Sequence, residues 1–212
     1  MGVLVSGTGT NLRALLDSAA APDYPARVAL VISNRRSAGA LDVARARGVE
    51  ALALPVADFG GSLEARDAAI RDALQAAQVR LVVCAGYDRM LTAPVLDAFP
   101  DAILNVHPSL LPAFAGGMHA VEDALAFGAK VSGCTVQLLE PGEPDGGPIV
   151  LQAAVPVEED DDAESLRARI HEQEWRILPE AVALFCSGRL QREGRRVRIL
   201  PAPTHIGGPT RP

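Results

Sequence analysis

Lysine is almost missing from this chain. Lysine and arginine together number 20 in 212 residues, and Lys130 is the one lysine, so arginine carries nearly all the positive charge. Asparagine is scarce too, limited to Asn11, Asn34 and Asn105. Each falls at or just past a predicted strand, although asparagine is also a common turn former. Cysteine is confined to Cys84, Cys134 and Cys186, an odd, scattered set with no CxxC pair. Such a set argues against a disulfide framework or a thiolate metal site and fits a reducing cytoplasm. No uncharged apolar run approaches the roughly 18 residues that a membrane helix needs. The start, MGVLVSG, lacks a basic region and a long apolar core, so no signal peptide is expected. A net charge of −6 speaks against a general nucleic-acid or membrane surface.

What the chain has is apolar residues, 49% of the total, at a length that suits one large domain or two small ones. No repeat or linker divides it. A single domain over 1–190 is expected, with 191–212 as a partly extended or flexible tail. Apolar runs at 3–6, 27–33, 50–56, 80–86 and 103–107 read as strands. Between them lie helical patterns that start at Leu12 and span 37–48, 62–77 and 92–99, with Gly48 closing the second and Ser62 and Thr92 as candidate caps. This alternation predicts an α/β fold, a Rossmann-like, mostly parallel open sheet with helices on both faces. Past Pro108 the pattern changes to a loop (109–119), a helix (119–128), two longer strands (130–140 and 148–157) and a long helix (161–188), kinked or divided near Pro179. A small hairpin is expected around Gly194, and the last dozen residues read as unstructured.

Two places carry candidate chemistry. Gly7-Thr8-Gly9-Thr10-Asn11 sits between the first strand and first helix, where free N–H groups and a positive helix dipole favour a phosphate. The dinucleotide fingerprint wants a third glycine where Leu12 stands, and no GK[ST] follows, so neither usual nucleotide signature is present. A tight turn with Thr10 or Asn11 capping the helix explains the loop equally well. The second place is the end of the strand ILNVH. Asn105 and His107 lie two apart and share a face, and Pro108 stops the strand beside the crevice where ligands of open parallel sheets bind. Asp145 lies downstream in a DGGP turn. Folded against His107, its carboxylate would favour the imidazolium. An amide donor, a cationic ring and an orienting carboxylate suit transfer through a tetrahedral oxyanion. Taken singly, a strand-end histidine is more often structural, and DGGP is a common turn. A His/Asp metal site lacks HxH or HxxxH spacing, and a serine hydrolase lacks GxSxG.

Together, VLVSGTGTNLRALLDS, VISN, CAGYDRML, ILNVHPSLLPAF and PDGGPIVLQ resemble the phosphoribosylglycinamide formyltransferase family, over roughly residues 2–190. The resemblance implies transfer of the formyl group of 10-formyltetrahydrofolate to glycinamide ribonucleotide, in purine biosynthesis, with no metal required. It implies that Gly9, Thr10, Asn11 and Leu12 hold the phosphate and that Glu174 meets the glycinamide end. Asp88, Arg89, Met90 and Leu91 would line the pterin pocket, and the 140–146 loop would fold over it. Asn105, also beside the folate, His107 and Asp145 would form the catalytic trio. Small-molecule partners, a cytoplasmic monomer or homodimer, and no nucleic-acid or membrane partner are expected.

Several residues depart from the family pattern. Leu63 stands where an arginine toward folate is usual, Asp88 replaces an apolar residue, Gln137 replaces a histidine, and AFAGGMHA lacks a proline, leaving no clear role for His119. Related readings are a methionyl-tRNA formyltransferase, which would usually carry a further C-terminal domain and a more basic surface, and a formyltetrahydrofolate deformylase, which would usually carry an N-terminal regulatory domain. A non-catalytic nucleotide-binding module is the reading from another class.

Overall fold

The computed structural model describes residues 1–142 and 144–202. Its strands are β1 (Gly2–Val5), β2 (Leu30–Ser33), β3 (Glu50–Ala53), β4 (Val82–Cys84), β5 (Ile103–His107), β6 (Val131–Leu138), β7 (Ile149–Pro156), β8 (Leu190–Glu193) and β9 (Arg196–Ile199). Its α-helices are α1 (Thr10–Ala19), α2 (Gly39–Ala46), α3 (Leu63–Ala76), α4 (Ala93–Leu96), α5 (Ala120–Phe127) and α6 (Ala163–Cys186). The strands form one sheet in the order β3-β2-β1-β4-β5-β6-β7-β9-β8. The first five are parallel, β6 runs antiparallel to both neighbours, and the β8–β9 hairpin continues the sheet beyond β7.

The period-2 alternation of the strands divides the core. Val3, Val5, Val31, Val83, Leu104 and Val106 face one side, where Leu12 and Leu15 of α1 and Ile170 and Ile177 of α6 cover them. Leu4, Ile32, Val82, Cys84 and Ile103 face the other, against Ile70 and Leu74 of α3 and Val95 of α4. With both faces covered, the central strands read as continuous apolar runs.

Local signals were met unevenly. Ser62 accepts the Ala65 N–H at 3.1 Å and caps α3 as expected. Thr92 sits at the start of α4, but its hydroxyl donates to Asp67 instead of capping. Neither Thr10 nor Asn11 caps α1, because Gly9 takes that position in the left-handed conformation. Pro179 does not divide α6, which runs as one helix of 24 residues. The proline removes one N–H, yet Ile177, Leu178, Ala181 and Val182 are buried around it, and its carbonyl accepts the Tyr24 hydroxyl at 2.8 Å. Tertiary burial outweighs the lost bond. Most of the C-terminal dozen, residues 203–212, lies outside the described residues.

Leu4 is fully buried in β1, the middle of the five parallel strands. Leu4→Ala is expected to cost about 2–5 kcal/mol. Urea unfolding checks this: the midpoint falls while the slope of free energy against denaturant stays constant.

Candidate active site

The strand order reverses between β1 and β4, which opens a crevice beyond the carboxyl ends of those strands. Every candidate group of the first 110 residues sits on a connection leaving β1, β2 or β4, or at the end of β5.

After β1, Gly9 adopts φ 84°, and a Cβ on it would lie 2.8 Å from Ala40. The Ala40 N–H donates to the Gly7 carbonyl at 3.1 Å, so α2 pins the loop. The first N–H groups of α1 face out of the helix without intrahelical partners. Leu12 is fully buried in the core, so it can offer a ligand only its backbone N–H. Asn11 donates from Nδ2 to Glu174 Oε2 at 2.8 Å, while its buried Oδ1 has no partner among the described residues. Burial pushes the Glu174 carboxyl up to about 7, against the opposing hydrogen bond from Asn11. His171 lies one helical turn before it, with Nε2 4.0 Å from Glu174 Oε2. The structure thus joins the glycine-threonine loop to Glu174, 163 residues away in sequence.

After β4, Asp88 enters a ring of hydrogen bonds. Its N–H donates to Ser6 Oγ at 2.9 Å, the Ser6 hydroxyl donates to Asn34 Oδ1 at 2.7 Å, and Asn34 Nδ2 donates to Asp88 Oδ1 at 2.8 Å. Arg35 pairs with the same carboxylate, and Arg89 lies 3.9 Å from it. Burial alone would raise the Asp88 carboxyl, but the bonds from Asn34 and Ser6 and the two guanidinium charges outweigh it and lower it. The ring ties together the connections leaving β1, β2 and β4. Arg89 and Met90 are exposed, and Leu91 is buried.

On β5, Asn105 pairs in register with Cys84 and Gln137, and His107 with Thr135. Both therefore point to the α3 side, where apolar residues give way to polar ones at the strand end. His107 Nδ1 lies 3.5 Å from Asp145 Oδ2, and Nε2 lies 3.2 Å from the Phe114 carbonyl. Both ring nitrogens face acceptors. Asp145 is held twice more: Gln137 Nε2 donates to Oδ1 at 3.0 Å and the Gly116 N–H to Oδ2 at 2.9 Å. The DGGP turn presses onto β6 so closely that a Cβ at Gly147 would lie 1.8 Å from the Leu138 carbonyl oxygen. Glu143, within the 140–146 loop, lies outside the described residues.

The trio expected from sequence is therefore brought together, and so are the Gly-Thr loop and Glu174. Sequence reasoning passed over what Gln137 does here. It is fully buried on β6, in register with Asn105, and only that cross-strand pairing could have revealed it.

A family model described as formyl transferase matches residues 1–182. A phosphoribosylglycinamide formyltransferase from Mycobacterium tuberculosis is 45% identical over 203 residues, which is 93% of this chain and 92% of that protein. The trifunctional purine biosynthetic protein adenosine-3 of Drosophila melanogaster is 42% identical over 190 residues, 89% of this chain, although the chain spans only 14% of that protein. Among solved structures, glycinamide ribonucleotide transformylase 1 from Symbiobacterium toebii superposes with a TM-score of 0.91 at 55% identity, covering 94% of this chain and 93% of that one.

The buried carboxyl of Glu174 sets a pH dependence. Between its ordinary value of 4.5 and about 7, the unfolded chain releases this proton while the folded chain keeps it. The folded state then binds more protons, so stability falls as pH rises through that window. Glu174→Gln is expected to flatten this fall and to be the more stable protein above the window, by at least about 1 kcal/mol. Urea unfolding of both proteins at several pH values checks it.

Proposed function

The chain belongs to the formyl transferase family, and on that basis we propose that it is a phosphoribosylglycinamide formyltransferase. The reaction moves the formyl group of 10-formyltetrahydrofolate to the amine of N1-(5-phosphoribosyl)glycinamide. It yields the N-formyl product and tetrahydrofolate in purine biosynthesis. One observation carries the reading: Asn105 and His107 share a strand end on which Asp145 closes at 3.5 Å, beside a glycine-threonine loop suited to phosphate.

In the proposed division of labour, the N–H groups of Gly9 to Leu12 and the Thr10 hydroxyl take the phosphate at the α1 N-terminus. Glu174, held by Asn11, meets the glycinamide end. Asp88, Arg89, Met90 and Leu91 border the pterin, with Asn105 at its reactive side. The amine nitrogen attacks the formyl carbon, and a carbon–nitrogen bond forms as the carbonyl oxygen takes up negative charge. Asn105 and His107 donate to that oxygen, which replaces the Phe114 carbonyl as the acceptor facing His107 Nε2. Asp145 keeps the ring oriented. Collapse breaks the bond to the folate nitrogen, and the proton given up by the amine ends on that nitrogen with His107 assisting. Each added donor at such an oxyanion is worth roughly 10²–10³ in rate.

Among the described residues no helix is long and apolar enough to cross a membrane. A cytoplasmic location, as monomer or homodimer with small-molecule partners only, completes the proposal.

The test is formyl transfer measured with both substrates. Turnover to the formylated ribonucleotide is expected. Binding of both ligands without turnover overturns the reading, and steady release of formate without acceptor indicates a deformylase. His107→Ala is expected to abolish turnover while the ribonucleotide still binds, because the phosphate loop is separate. Activity near that of the wild type in this variant contradicts the role assigned to His107.

A further inference from the structure

Residues 87–92 leave β4 as an irregular segment, and what holds it lies beneath it, in α3. Arg66 and Asp67 are adjacent, and both side chains are fully buried. A charged pair removed from water must recover its lost hydration from partners. Arg66 Nε donates to Asp67 Oδ1 at 2.8 Å, and Nη2 donates to the Met90 carbonyl at 3.1 Å. Asp67 Oδ2 accepts the Thr92 backbone N–H at 2.6 Å and the Thr92 hydroxyl at 2.8 Å. The Arg66 guanidinium also lies 6.0 Å from the centroid of the Tyr87 ring. One buried pair therefore grips the segment at its start, middle and end.

The two backbone contacts flank Leu91. In a trans peptide the C=O and N–H point to opposite sides of the chain. With the Met90 carbonyl turned toward Arg66, the Leu91 N–H turns away from α3. With the Thr92 N–H turned toward Asp67, the Leu91 carbonyl also turns away. The pair thus presents one donor and one acceptor of the same residue on the side of the segment remote from α3. Two apolar side chains could fill the same space at lower desolvation cost. What the ion pair adds is direction.

We propose that Arg66 and Asp67 are positioning residues for the folate, fixing Leu91 as a donor–acceptor pair for the complementary edge of the pterin. This rests on the function proposed above. Neither residue touches the reacting atoms, so their influence falls on folate binding and not on the ribonucleotide.

Steady-state kinetics of full-length Arg66→Met and Arg66→Lys, with amide hydrogen exchange across residues 87–92, tests it. In Arg66→Met the KM for 10-formyltetrahydrofolate is expected to rise about tenfold, as for a lost buried partner, with the KM for the ribonucleotide within about twofold. Arg66→Lys, a point charge in place of a fork, restores most of the loss, leaving a rise of about threefold. The Leu91 and Thr92 amides exchange faster in Arg66→Met, while those of β1 and β5 do not. An unchanged folate KM, or equal rises in both constants, overturns the proposal. Should Arg66→Met not fold, Arg66→Lys is read alone, and a folate KM equal to that of the wild type overturns it. Should the wild type not turn over these substrates, the functional reading falls by itself. Exchange then decides the clamp: faster exchange at Leu91 and Thr92 supports it, and unchanged exchange overturns it.

Discussion

The contact between Asp145 and His107, 3.5 Å from carboxylate to ring nitrogen, is the constraint around which the site is arranged. A carboxylate on a surface turn would ordinarily prefer water, and an exposed pair is worth little. Here the turn is denied that freedom. Gly147 lets it lie against the Leu138 carbonyl closer than any side chain would permit. Gln137 and the Gly116 N–H bind one carboxylate oxygen each. The register between β6 and β7 shifts between Val136 and Gln137, and such irregularities next to functional sites re-aim side chains. The Gln137 amide thereby serves the turn, and the turn serves the histidine.

The other half of the site is built on different physics. The glycine-threonine loop and the segment after β4 are fixed by hydrogen bonds among polar groups at the strand ends, with Ser6, Asn34 and Asp88 closing a ring across three connections. Rigid elements so joined hold ligands better than free loops do. In a chain with a single lysine, the positive charges here are arginines: Arg35 and Arg89 both face Asp88. Glu174 stands apart as a carboxyl that burial pushes up to about 7, against the opposing bond from the Asn11 amide.

Much of this was legible in the sequence. The apolar runs predicted the parallel sheet and its two covered faces, because buried central strands need no alternation. The period of two placed Asn105 and His107 on one face, and β5 was read with its observed bounds. The scarcity of asparagine singled out Asn11, Asn34 and Asn105, and the side chains of Asn11 and Asn34 prove to bond residues 163 and 54 positions away. Those partners could not be read, because nothing local announces a contact across the fold. The same holds for Gln137, whose role depends on antiparallel register, and for Arg66, whose charge suggests surface but whose side chain is fully buried. Pro179 shows the opposite case: a local rule foresaw a kinked or divided helix, and α6 runs through the proline undivided.

In the proposed mechanism Asp145 acts on the chemistry through His107 and not on ligand binding. Single-turnover formyl transfer by Asp145→Asn tests this, since the amide keeps the side chain's shape but removes its charge. A transfer step slowed by about 10² or more is expected, with dissociation constants for both ligands unchanged. A transfer rate equal to that of the wild type would contradict it.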